Sequence, residues 1–386
     1  MTESRAVRVE LGDAGYDVLV GQRLLTGLGD LLAPLGARRV HVFEDAGLPR
    51  AVRDAAAASL GEARVSRQEL RLDETSKSLA TLESMLHGLA SNQLERTDLV
   101  VALGGGILGD VAGLAAGLHR RGVGVVQCPT TLLAMVDASV GGKTGINLST
   151  DIDGRAVMLK NAVGLFHQPA MVVADVGVLS SLPPRDLRSG LAECIKHAVI
   201  AQGGSGDGLS LSEIESSIAS VIGGDWASAA EFVAQNIALK ARVVADDERE
   251  LARGERPGRR ALNLGHTFAH AIEALEATRV EIDGRSVHPT HGEAVGLGLL
   301  AACRLAERCG VASGDLGSGV AGALGQAGLP QRLAGGAEPD VLISAMRQDK
   351  KSQSGSLRLV LPTPEGVIMM DDPGDAALCD AWRAIL

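Results

Sequence analysis

The sequence predicts an α/β protein in two domains, with a parallel-sheet domain over residues 1–180 and a mainly α-helical domain over residues 181–386. Three observations carry this reading. Short apolar runs alternate with helix-period stretches as far as Asp175, which is the rhythm of βαβ units. After Pro183-Pro184 the short runs give way to long helical patterns. Between one apolar run and the next helical one stands a glycine cluster, where such sheets place their ligand loops. The length of 386 residues also exceeds what one hydrophobic core usually serves.

Taken in order, residues 7–11 and 16–20 read as short strands about a Gly-Asp turn, and residues 24–35 as a helix that stops before Gly36. Residues 40–44, 65–70 and 98–103 look like buried parallel strands, with helical spacing over 51–60 and 78–91 between them. A helix over 107–119 leads to a strand over 124–128, and residues 170–175 close the sheet. The second half should hold helices over 186–200, 211–222, 226–250, 264–275, 292–309 and 316–325. A small hairpin from 357–361 and 366–370 should follow, and glycine-rich residues 203–208 read as a surface loop.

Composition narrows the function. Hydrophobic residues make up 46% of the chain but aromatic ones only 2%, so the core must be packed from Ala, Val, Leu and Ile. Asp and Glu outnumber Lys and Arg by 47 to 37, a net charge of −10 that argues against nucleic acid or an anionic membrane as partner. An anionic small ligand must therefore be held by a local group of bases. The five cysteines are odd in number, form no CxxC pair and read as core thiols of a reducing compartment. The first residues lack the pattern of a signal peptide and no run reaches the ~18 apolar residues of a membrane span, so a cytoplasmic location is expected.

The glycine cluster is Gly104-Gly105-Gly106-Ile107-Leu108-Gly109-Asp110. It lets backbone approach a phosphate at a helix N-terminus, although a tight packing turn is the competing reading, since the spacing is not GxGxxG. Asp73-Glu74 with Lys77 and Pro129-Thr130-Thr131 follow the neighbouring strands and favour a ligand there. Further on, His266 and His270 are four apart and share a helix face, as two ligands or as one ligand and one base. With Glu193 and His291 they offer the donors of a catalytic zinc site, for which His288 competes. Lys143 in Gly-Gly-Lys-Thr, Lys196 one helical turn after Glu193, Lys160-Asn161, Lys240, Arg259 and Lys350-Lys351 are the bases available for a small polyanion.

Several blocks in order, GGGILGDVAGLAAGLHRRGV, QCPTTLLAMVDASVGGKTGIN, LPPRDLRSGLAECIKHAVI, LNLGHTFAHAIEAL, HGEAVGLG and MRQDKKSQSGSLRLVL, give the chain a resemblance to the 3-dehydroquinate synthases among the sugar phosphate cyclases. It runs over residues 9–370. The resemblance implies a Rossmann-like N-terminal domain and an α-helical C-terminal one, a homodimer, and an active site between the domains. It also implies NAD, zinc or cobalt, and a small anionic sugar phosphate as substrate. Glu193, His266 and His291 would be the metal ligands, and His270 an active-site residue outside the ligand set. NAD would meet Glu74, Lys77, Gly105, Gly106, Asp110, Thr130, Thr131, Asp137, Lys160 and Leu182. Substrate would meet Lys143, Asn161, Lys196, Lys240, Arg259, Asn263 and Lys350, and Arg121 resembles an arginine that reaches into the neighbouring subunit's site.

The implied reaction oxidises a hydroxyl, eliminates phosphate, restores the hydride and closes a carbocycle by an aldol step. Three departures stand out. Residues 149–157 and 252–258 look like insertions, and His197 follows Lys196 where the family more often has an uncharged residue. Lys350 and Lys351 compete for one role. The rival readings are cyclases of sedoheptulose 7-phosphate, of glucose 6-phosphate or of an aminated substrate, and a metal-dependent polyol or glycerol-phosphate dehydrogenase.

Overall fold

The computed structural model describes residues 4–61, 64–152, 154–202, 209–252, 257–351 and 357–386. The loop expected at 203–208 and residues 253–256 of the expected insertion lie outside the described residues, as do the side chains of residues 349–351. The chain forms two compact units, Met1–Pro183 with Trp226–Ala245, and Pro184–Asp225 with Asp246–Leu386.

The first unit is built on β1 (Ser4–Val9), β2 (Tyr16–Gly21), β3 (Arg39–Asp45), β4 (Arg64–Leu70), β5 (Leu99–Gly104), β6 (Gly124–Pro129), the hairpin β7 (Lys143–Ile152) and β8 (Arg155–Phe166), and β9 (Met171–Asp175). Seven of these form one sheet in the order β1-β2-β9-β6-β5-β3-β4, parallel except for the β1–β2 pair. Between them run α1 (Leu28–Leu32), α2 (Arg50–Ser59), α3 (Leu79–Ser91) and α4 (Gly106–Leu118). All six residues of β5 are buried, as an apolar run covered on both faces requires. Phe43, Met85, Leu89, Val100, Leu114 and Val125 are central to its core. The chain passes from β3 to β4 on one side and from β5 to β6 on the other. The strand order therefore reverses between β3 and β5, where sheets of this kind open a crevice.

The expected helix over 24–35 is broken. Gly27 and Pro34 divide it into a 3-10 turn, the five-residue α1 and a second 3-10 turn. The β7–β8 hairpin was not foreseen, because its glycines mask the alternation of a strand. The apparent insertion at 149–157 forms the outer pairs of this hairpin, from Ser149↔Met158 to Ile152↔Arg155. Asp151 Oδ1 accepts a hydrogen bond from the Gly154 amide at 2.8 Å across the tip.

The rest of the chain holds α5 (Pro184–Ala201), α6 (Leu211–Gly223), α7 (Trp226–Asp246), α8 (His266–Ala274), the short strands β10 (Val280–Ile282) and β11 (Arg285–Val287), α9 (His291–Arg308) and α10 (Gly314–Gln326). It ends with α11 (Pro339–Lys351), the hairpin β12 (Arg358–Thr363) and β13 (Gly366–Asp371), and α12 (Asp375–Arg383). Residues Trp226–Ala245 of α7 belong to the first unit, where Lys240 and Glu231 bond Asp137 and Arg5. In the second unit α9 is buried along most of its length, and α5 and α8 pack against it. Both contacts rest on glycine: a Cβ on Gly298 would overlap the Gly265 carbonyl, and one on Gly292 would overlap that of Ser189. Phe268 meets Trp382 edge to face, with ring centroids 5.1 Å apart. No helix among the described residues is long and apolar enough to cross a membrane.

Candidate functional site

In the first unit Asp45, the glycine loop and Thr130-Thr131 gather at the C-terminal ends of β3, β5 and β6. Helix α4 starts from Gly105 with no capping side chain, which leaves its first N–H groups available to an anion. Added Cβ atoms would come 3.2 Å from Asp45 Cβ at Gly104 and 3.0 Å from Ala138 Cβ at Gly106, so the glycines permit the close approach of these loops. Thr130, buried beside them, donates its amide to the Gly104 carbonyl at 3.0 Å. Thr131 lies against Gly105.

Two cation–carboxylate pairs follow. Lys77, buried, donates to Asp110 Oδ2 at 2.6 Å and to Asn161 Oδ1 at 2.5 Å. Burial pushes the Asp110 carboxyl up to about 6 even though the Lys77 ammonium pulls it down. Lys240 donates to both the carboxylate and the carbonyl of Asp137, at 2.7 Å to Oδ1. Asp137 sits in a π-helical turn, Ala134–Ala138, of the sort that interrupts regular helix to aim a side chain.

Asn147 joins these parts and was missed in the sequence. Its amide donates to the Lys77 carbonyl at 2.8 Å, its Nδ2 to Glu74 Oε1 at 2.8 Å and to the Glu74 carbonyl at 3.0 Å. Its Oδ1 accepts from the Asn161 amide at 2.8 Å. The ladder of β7 and β8 is broken at this point: Ile146 pairs with Val163 and Leu148 with Leu159, so Asn147 alone faces residues 160–162. This bulge throws Asn161 into the left-handed region at φ +52 and turns it towards Lys77. The only sequence signal was an asparagine after Gly145-Ile146, which is too little without the fold.

The remaining residues singled out in this half are Lys143 at the start of β7, Lys160 on β8, Arg121 after α4 and Leu182. Lys143, Lys160 and Arg121 are exposed and Leu182 is half-buried. Arg121 has φ +65.

In the second unit α5, α8 and α9 bring Glu193, His266 and His291 together, with their ligand atoms all within 4.8 Å of one another. Glu193 Oε1 lies 3.5 Å from His266 Nε2 and 3.6 Å from His291 Nε2. Both rings turn Nε2 inwards because Nδ1 is held elsewhere. His266 Nδ1 is 3.3 Å from the Leu264 carbonyl, and His291 Nδ1 is 3.1 Å from Glu273 Oε1. A buried carboxylate and two imidazole nitrogens facing one point suit a divalent cation with open positions. His270 stands outside the set, its ring centroid 5.8 Å from that of His266. His288 is exposed, with Nδ1 3.1 Å from the Pro289 carbonyl.

Lys196 is buried and ion-paired with Glu193, and His197 beside it is buried as well. Burial, with Lys196 next, pushes the His266 imidazole down to about 3 and keeps it neutral. Burial also opposes charge on His291, but its bonds to Glu193 and Glu273 prevail and lift it to about 10. Arg259 is buried and donates its amide to Asp247 Oδ2 at 3.1 Å, while Asn263 Nδ2 donates to Glu250 Oε1 at 3.3 Å. The backbone of Lys350 lies in the last turn of α11.

The fold and these two groups define a class: an α/β unit with an uncapped glycine loop at a helix start, in one chain with a helical unit where a glutamate and two histidines converge. Residues 68–189 match the family model of the 3-dehydroquinate synthase N-terminal domain, and residues 190–352 match that of its C-terminal domain. A 3-dehydroquinate synthase of Paracoccus denitrificans is 41% identical over 379 residues, covering 96% of both chains. One from Caulobacter vibrioides is 40% identical, covering 98% of both. The chain therefore belongs to the 3-dehydroquinate synthase family. Similar solved structures include a 2-deoxy-scyllo-inosose synthase complexed with carbaglucose-6-phosphate, NAD+ and Co2+, with TM-score 0.81, 23% identity and full coverage of both chains. Another is 2-epi-5-epi-valiolone synthase from Streptomyces hygroscopicus subsp. jinggangensis with NAD+ and Zn2+ bound, with TM-score 0.76, 26% identity and 96% coverage of both.

Proposed function

We propose that the chain catalyses the reaction for which its family is named, the conversion of 3-deoxy-arabino-heptulosonate 7-phosphate to 3-dehydroquinate and inorganic phosphate. The observation that carries this is the Glu193-His266-His291 cluster in a chain about 40% identical to 3-dehydroquinate synthases along nearly its whole length. When bound, NAD would supply a hydride acceptor that is restored by the end of the cycle, and zinc or cobalt a Lewis acid for vicinal hydroxyls.

In the first unit, Gly105, Gly106, Thr130 and Thr131 would cradle the NAD pyrophosphate, and Glu74, Lys77, Asp110, Asp137, Lys160 and Leu182 would complete that site. The short Lys77–Asp110 and Lys240–Asp137 pairs support this, because each holds a buried ammonium without leaving a net charge behind. Lys143, Asn161 and Lys240 would receive substrate oxygens from this unit. In the second unit Glu193, His266 and His291 would hold the cation. Lys196, Arg259, Asn263, His270 and Lys350 would bind phosphate, carboxylate and hydroxyls there and stabilise developing negative charge. His266 is held neutral by burial, which suits a ligand, and loading the site would release the proton from His291. Arg121 would act across a homodimer, and a cytoplasmic location is consistent with the absence of a membrane-crossing helix among the described residues.

The test is incubation of the purified protein with catalytic NAD, zinc and 3-deoxy-arabino-heptulosonate 7-phosphate, with sedoheptulose 7-phosphate in parallel. Phosphate release, 3-dehydroquinate by NMR and no net NADH are expected, all lost in His266→Ala. Turnover of sedoheptulose 7-phosphate alone would overturn the substrate, and net NADH without phosphate would overturn the reaction class.

A further inference from the structure

Helix α8 supplies more than His266. Seven residues along, about two turns further on the same face, stands Glu273, whose carboxylate reaches the first residue of α9. Its Oε1 lies 3.1 Å from His291 Nδ1, and its side chain is only 12% exposed, so the carboxylate end of the bond is largely shielded from water. His291 has two nitrogens and a single bond from the ring to the backbone side, so it could rotate either nitrogen inwards. The Glu273 bond settles the choice: Nδ1–H is donated outwards and Nε2 is turned towards Glu193, where it can ligate a cation once its proton has left.

We propose that Glu273 is the positioning residue of the cation site, fixing the tautomer and orientation of His291 and making its Nε2 a stronger donor. The assignment rests on the reading of Glu193, His266 and His291 as metal ligands. His266 obtains the same tautomer from a backbone carbonyl, that of Leu264, which no side-chain substitution removes. The two imidazoles thus differ: one is held by the main chain, and the other by a carboxylate that also brings negative charge to a site for a cation. Among the pairings described, Glu273 is the substitutable part of the outer shell. In the sequence it is the glutamate of His270-Ala271-Ile272-Glu273, indistinguishable from a solvated helix residue until α9 is placed.

The experiment measures zinc affinity by competition with a chromophoric chelator, and the d–d absorption of the cobalt-loaded protein, for the parent, Glu273→Gln and Glu273→Ala. Loss of an outer-shell partner typically weakens metal binding by roughly 10–100-fold. Glu273→Ala should fall in that range with a shifted cobalt band. Glu273→Gln keeps an acceptor oxygen without the charge and should fall between Ala and the parent. Loss of the Glu273–His291 bond will lower the melting temperature of the metal-free forms, but their far-ultraviolet circular dichroism and their NAD binding should be unchanged, which separates orientation of a ligand from damage to the fold. Zinc affinity of Glu273→Ala within twofold of the parent, with the same cobalt band, would overturn the assignment while leaving the metal site intact. If the parent itself binds no stoichiometric zinc, or binds it equally well in Glu193→Ala, the underlying metal reading fails and this assignment with it.

Discussion

Gly298 of α9 and Gly265 at the head of α8 meet backbone to backbone, so that a Cβ on Gly298 would occupy the space of the Gly265 carbonyl oxygen. Gly265 itself is left-handed at φ +78, and a Cβ there would come 3.0 Å from the Leu299 amide. This contact places His266 beside His291. Gly298→Ala should therefore cost about 1–3 kcal/mol or more, as overpacking does, and lower zinc content as the helices part. Denaturant unfolding and metal analysis of the same preparation check both.

Asn147 ties the loop carrying Glu74 and Lys77 to the bulge carrying Asn161. Asn147→Leu removes the donor to Glu74 and the acceptor for the Asn161 amide, and buried partners left unmade cost about 1–3 kcal/mol. The expected result is NAD affinity lowered by roughly tenfold or more in calorimetry, with zinc affinity unchanged. Equal NAD affinity would show that the loop holds its shape without this side chain.

The Asp110 carboxyl keeps its proton to about pH 6 in the folded chain, against 3.8 in a free carboxyl. The folded state thus binds the proton more tightly than the unfolded state. Its contribution is fully present below about pH 4 and is lost as pH climbs through 6. Between pH 4 and 7 the parent should lose on the order of 3 kcal/mol relative to Asp110→Asn. Lys77 loses a partner in that variant, which shifts its stability at every pH. The slope of the difference is therefore the readout, from urea unfolding at several pH values.

Chelation should destabilise the protein in proportion to how far zinc exceeds its dissociation constant, by about 2.7 kcal/mol at a hundredfold excess. Returning zinc should restore the melting temperature. In His266→Ala, chelator should have little effect, since the set of ligands is already broken.

Most sheet strands and long helices were legible because their periodicity is plain: β5 is apolar throughout, and the histidines at 266 and 270 share one face. The β7–β8 hairpin was not, because Gly145 and Gly164 sit where alternating side chains would signal strands. The strand at 65–70, expected to be buried, is instead the edge strand β4 with no buried residue, as its Ser, Arg, Gln and Glu allow. Helices α11 and α12 are amphipathic but carry few large apolar residues, and both start beside Gly and Pro, so their stretches do not stand out as helices in the sequence. The residue types of the cation site could be read from the sequence, but their partners could not. Glu273 and Asn147 act through contacts 18 and 73 residues away, respectively, and pairings at such range leave no local trace.

The return of α7 to the first unit has a consequence for synthesis. Although the sheet is complete at Asp175, the ammonium that pairs with Asp137 arrives only with Lys240. A nascent chain must therefore emerge well past the start of its second unit before its first can close. A fragment cut at Pro183 would carry an unneutralised carboxylate and a bare flank, however intact its strands.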